Sequence, residues 1–127
     1  GDFTCVCCND TETITSHKRG VAPLLEWLDS GINLKEFSAA DKVIGKGAAF
    51  IYVLLGVREI YTNVISKSAL EILENYHVPV TYDVFTEAIR NRDNTGFCPI
   101  EAAVSEITDS KKALSVIRET LSKIQKA

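Results

Sequence analysis

Hydrophobic positions recur along this chain with two different periods. Stretches 2–8 and 12–17 are short and rich in alternating or β-branched positions around Asn9-Asp10-Thr11, which predicts a β-hairpin. Val21, Leu24, Leu25 and Leu28 follow the i, i+3, i+4, i+7 rule, with Pro23 in the first turn and Gly31 just beyond, so a short amphipathic helix is expected. Ser38-Ala39-Ala40-Asp41 fits a capping box and predicts a second helix from Ser38 to about Leu55. A strand is expected over 59–65. Ser68 with Glu71 forms another capping box ahead of an apolar face of Ala69, Ile72, Leu73 and Tyr76. A further strand is expected over 79–85. Pro99 opens a helix with the stripe Ile100, Ala103, Val104 and Ile107, and a last helix from about Ser110 carries Leu114, Ile117, Leu121 and Ile124.

Hairpin, two helices, then strand–helix–strand–helix reads as α/β: a three-layer α-β-α sandwich with helices on both faces of a mixed sheet. The apolar strands suit a sheet buried on both sides. With 127 residues, the chain is one domain spanning 1–127. The net charge of −3 divides into −2 before Val64 and −1 after it, so neither half is a basic arm. Generic nucleic-acid binding is therefore disfavoured, although a local cationic pocket is not. The longest apolar run, 48–55, is far below the roughly 20 residues of a membrane span. Nothing resembles a signal peptide, and free thiols fit a cytoplasmic protein. The absence of Met, even at position 1, implies a native start trimmed or replaced.

The stretch 41–52 concentrates the candidate chemistry. From Gly47 onward it is apolar almost all round, which predicts a central buried helix. Gly45 and Gly47 each cost a helix about 1 kcal/mol relative to Ala, favouring a role in close packing or ligand approach. On the expected helix Lys42 and Lys46 are one turn apart, a repulsive pair unless something anionic lies between them. They read either as a cationic pocket at a helix start or as two lysines reaching for solvent.

Ala40-Asp41-Lys42-Val43-Ile44-Gly45-Lys46, Val64-Ile65-Ser66 and Asn91-Arg92-Asp93-Asn94-Thr95-Gly96-Phe97-Cys98-Pro99-Ile100-Glu101 resemble a small prokaryotic family of unknown function, over nearly the whole chain. The resemblance implies a cytidine-deaminase-like fold. Zinc deaminases hold their metal with His-x-Glu at one helix start and Pro-Cys-x-x-Cys at the next. By order of elements these places fall near 41–46 and 66–69, and neither contains His or Cys. The expectation is thus no metal and no cofactor, with the vacated place offering two helix starts, Lys42, Lys46, Lys67, and the hydroxyls of Ser66 and Ser68 to a small anion. Asp41 and Glu101, within the resembling segments, complete the candidate ligand-binding residues. Ser66 and Ser68 as plain helix caps are the alternative.

Cys98, at a predicted helix cap, is the candidate nucleophile, because a helix dipole favours thiolate. A loop cysteine serves the formate dehydrogenase accessory sulfurtransferase, a relative in fold only. The alternative is a small buried residue between Phe97 and Pro99. Cys5 and Cys8 have a C-x-x-C spacing but point to opposite faces of a strand, a poor start for a zinc site. His17-Lys18-Arg19-Gly20 is a compact basic turn, and His77 suits a helix end. Three readings follow: a binding module for a small anionic, nucleotide-like metabolite; a thiol-dependent transferase using Cys98; and a structural or homo-oligomeric module with a degenerate pocket.

Overall fold

A computed structural model describes residues 5–16, 21–32, 34–87 and 99–126. The hairpin forms as β1 (Cys5–Cys8) and β2 (Thr13–Ser16). Asn9 builds the turn: its Oδ1 accepts from the Thr11 amide at 2.9 Å and the Glu12 amide at 2.7 Å, an Asx-type bond that replaces a backbone partner. The first helix, α1 (Ala22–Ser30), stops at Gly31, whose φ of 77° is left-handed and whose amide donates to the Leu28 carbonyl.

The largest departure from the sequence reading follows. Ser38–Ile44 is not the first half of a helix but a strand, β3, and the helix α2 (Lys46–Leu55) begins only after an extended Gly45. The Ser38–Asp41 capping pattern is overridden because β3 finds backbone partners on both sides: β1 antiparallel, and β4 (Glu59–Ser66) parallel. The helix α3 (Lys67–Asn75) follows β4 directly, and β5 (Val80–Thr86) pairs parallel with β4. Ser66, not Ser68, caps α3, accepting from the Ala69 amide at 3.2 Å. The chain closes with α4 (Pro99–Ala103), shorter than its apolar stripe predicts, and α5 (Ser110–Lys126).

The result is a mixed five-stranded sheet in the order β2-β1-β3-β4-β5, an α/β fold consistent with a sandwich. The crossovers β3–α2–β4 and β4–α3–β5 are right-handed by rule, which puts α2 and α3 on one face, and these helices pack against each other. Helices α1 and α5 also pack on α2, and α4 packs on α5. So α2 is enclosed as its apolar composition predicts: Ala49, Phe50, Ile51 and Tyr52 are fully buried.

Coverage is unequal on the two sheet faces. Val43, Tyr61 and Val84 remain 45%, 42% and 54% exposed, so the expected burial on both sides does not hold there. The inward phase also slips by one residue within the sheet. Inward positions run Ala39, Asp41, then Ile44 on β3, and Ile60, Thr62, then Ile65 on β4. The ladders pair Asp41 with Thr62 and Val43 with Val64, then Thr62 with Tyr82 and Val64 with Val84, and are interrupted at the level of Lys42, Asn63 and Asp83. The register is the same on both sides of this level, and on β3 and β4 the side chains that follow it face the other way. Among the described residues no helix is long and apolar enough to cross a membrane.

Candidate functional site

Ile44 pairs with Ile65, so β3 and β4 end side by side, and each runs into its helix with at most one residue between. Two helix starts therefore meet at one edge of the sheet. Each helix start carries the positive end of a dipole, so this end of the sheet favours an anion.

Lys46 and Lys67 stand at these starts in different states. Lys67 is exposed. Lys46 is 8% exposed: its Nζ donates to the Ser105 carbonyl at 2.8 Å and lies 5.9 Å from the Phe50 ring centroid. A lysine in the first turn works against the helix dipole. Here its stem is packed, and its charge ties α2 to the end of α4. Lys42 is on β3, exposed, at the interrupted level. The expected one-turn pairing of Lys42 with Lys46 is thus overturned, because β3 is extended and Gly45 separates the two elements.

Gly47 is a close-packing position. A Cβ there would lie 2.5 Å from Ile100 Cγ2, with Ile117 Cδ1 and Val21 Cγ1 at 3.7 and 3.8 Å. Ser66 is fully buried and half-buried Ser68 lies 3.3 Å from it, oxygen to oxygen. Capping and edge placement thus coincide in Ser66.

Asp41 points inward rather than to the edge. Its Oδ2 accepts from the Tyr52 hydroxyl at 2.7 Å. Burial pushes its pKa up to about 6, against the Tyr52 hydroxyl and the nearby Val43 and Lys42 amides, which favour the charged form. Sequence reasoning missed Tyr52 and Ser105. The signal for Tyr52 was present, because a tyrosine in an otherwise apolar helix needs a partner for its hydroxyl.

Cys98, the Glu101 side chain and the 17–20 basic turn lie outside the described residues. Cys7 is buried and Cys8 exposed. Among the described residues no three His, Cys, Asp or Glu side chains group closely enough to hold a metal ion.

A family model described as TM1506, domain of unknown function (DUF1893), matches residues 1–121. The chain belongs to the DUF1893 family. Its structure is similar to the crystal structure of the DUF1893 family protein TM1506 from Thermotoga maritima, at 29% identity and a TM-score of 0.85, covering 96% of this chain and 81% of that one. No curated protein matches it. Membership in DUF1893 supports the family resemblance and assigns no reaction.

Proposed function

We propose that this DUF1893 chain is a cytidine-deaminase-like domain without zinc chemistry, and that it binds a small anionic, nucleotide-like ligand at the edge where β3 and β4 end. The fold reading is supported by a mixed sheet in which β1 runs against its neighbours and β3, β4 and β5 run parallel through α2 and α3. The binding reading is carried by one observation: adjacent parallel strands, about 4.8 Å apart, feed two helix starts at the same level. Lys67 and Ser68 are the side chains there with solvent access, and they do the recognising. Lys46 contributes positive potential from behind while it holds Ser105.

The chemistry is binding and charge neutralisation. A phosphate or carboxylate would take amide bonds from a helix start and one charge-assisted bond from Lys67, a class of interaction of about 1.5–3 kcal/mol each. Thermal-shift measurement with inorganic phosphate and with nucleoside mono- and diphosphates tests the reading. A rise in Tm with one of these, lost in the Lys67→Ala, Ser68→Ala double variant and kept in Lys112→Ala, supports it. A rise that the double variant retains in full refutes this location.

A further inference from the structure

One face of the sheet is open. Helices α2 and α3 cover the other face, and α1 and α5 stack on α2, so among the described residues no helix lies over the outer side of β3, β4 and β5. The register shows what this side displays. Val43, Val64 and Val84 form one row across the three strands. Val43 and Val84 are about half exposed, and Val64 is half-buried. One residue earlier, at the interrupted level, Lys42, Asn63 and Asp83 form a second row, all three exposed. Tyr61 alternates with the buried Ile60 and Thr62, so it faces outward, and its hydroxyl donates to Asp83 Oδ2 at 2.6 Å. The Asn63 side-chain amide donates to the same oxygen at 3.0 Å, and the two bonds favour the charged carboxylate.

Both rows are symmetric in kind about β4. A valine flanks Val64 on either side, while Asn63 has a cation on one side and an anion on the other. Neither charge is neutralised by a salt bridge among the described residues. Lys42 bonds none of them, and both bonds to Asp83 fall on one of its two oxygens.

We propose that this face binds the same face of a second copy of the chain, about a two-fold axis that runs along β4. Rotation about such an axis keeps every level in place and exchanges the flanking strands, so β3 of one copy lies over β5 of the other. Lys42 then meets the partner's Asp83, and Asp83 meets the partner's Lys42. At the next level Val43 covers the partner's Val84, and Val64 meets its own equivalent on the axis. Facing sheets pack about 10 Å apart with their strands aligned to within about 30°, which this arrangement satisfies. The contact is isologous and closes at two copies. A partner presenting a single sign of charge would satisfy one flank and repel the other, so the charge pattern selects a second copy.

The size of the patch sets its strength. Three strands about 4.8 Å apart, with seven residues at about 3.3 Å each, span about 14 by 23 Å. That is well below the roughly 800 Å² per partner of a standard interface, so the dimer is weak and concentration-dependent. It leaves free the anion site, which lies where the strands end.

The test is sedimentation equilibrium of the intact chain over about 10–500 µM, with amide NMR spectra across the same dilution. The wild type should pass from dimer to monomer, with concentration-dependent shifts at Val43, Asn63, Val64 and Val84. Lys42→Asp and Asp83→Lys should each raise Kd about tenfold or more, by placing like charges opposite each other. An equimolar mixture of these two variants should associate again, because each pair across the interface then joins a cation to an anion. A wild type that stays monomeric throughout overturns the proposal. So do shifts confined to β5, which would mean edge-to-edge pairing, and both results are read without any variant. A mixture no more associated than its separate components overturns it as well.

Discussion

Replacing Gly47 by alanine separates two roles that a glycine at a helix start can have. The new Cβ would lie 2.5 Å from Ile100 Cγ2, where apolar carbons rest at about 3.5–4.0 Å, so a displacement of roughly 1 Å is needed. Ile117 Cδ1 and Val21 Cγ1, at 3.7 and 3.8 Å, close the sideways escape. Overpacking of this kind costs about 1–3 kcal/mol, offset by about 1 kcal/mol from the better helix propensity of alanine. The net expectation is a loss of about 0–2 kcal/mol, read as a lower urea midpoint at unchanged m-value. The atom struck is the β-branch methyl of Ile100, which leucine lacks at nearly equal volume. Ile100→Leu should therefore relieve the clash, with a favourable coupling of about 0.5 kcal/mol or more in a double-mutant cycle. A Gly47→Ala protein as stable as the wild type, with no coupling to Ile100→Leu, would refute the packing account and return Gly47 to ligand approach.

Three further outcomes follow from local geometry. His77 has φ 61° at the end of α3, with its amide on the Glu74 carbonyl and the Val78 amide on the Leu73 carbonyl. This is a Schellman ending without its usual glycine, so His77→Gly should stabilise by up to about 1 kcal/mol in chemical denaturation. Asp41 binds its proton more tightly folded, near pH 6, than an ordinary aspartate does at 3.8, so native stability should fall as pH rises from about 4 to 6 and then level off. That slope, at most about 3 kcal/mol in total, should vanish in Asp41→Asn, as urea melts at several pH values will show. Tyr76 Oη accepts from the Ser110 amide and donates to the Thr108 carbonyl, so Tyr76→Phe should cost about 1 kcal/mol by unpinning the start of α5 from α3.

Much of this fold was written in local signals. Asn9 marks the hairpin, Gly31 ends α1, and the strands β4 and β5 lie within a residue of where their apolar runs place them. Helix α2 is buried because its composition is apolar all round. What failed is the junction before it. Ser38-Ala39-Ala40-Asp41 looks like a helix start, and a strand that enters a helix through Gly45 alone leaves little punctuation, so β3 and α2 merge into one apparent helix. The partners that make 38–44 a strand, β1 and β4, are distant in sequence and invisible to local pattern.

The candidate site was partly legible for the same reason. Lys67, Ser66 and Ser68 carry helix-start signals, and they lie where β4 runs into α3. Asp41, Lys42 and Lys46 share one expected helix, of which only the part from Lys46 forms. Before it the strand turns Lys42 to the exposed face and Asp41 into the interior, where its partner is Tyr52.

The most direct test of the anion-binding claim is an amide NMR titration with inorganic phosphate at pH 7. The account predicts saturable shifts concentrated at the first turns of α2 and α3, with Lys67 and Ser68 among the largest, and their loss in Lys67→Ala, Ser68→Ala. Shifts absent from both helix starts, or as large in the double variant as in the wild type, would contradict it.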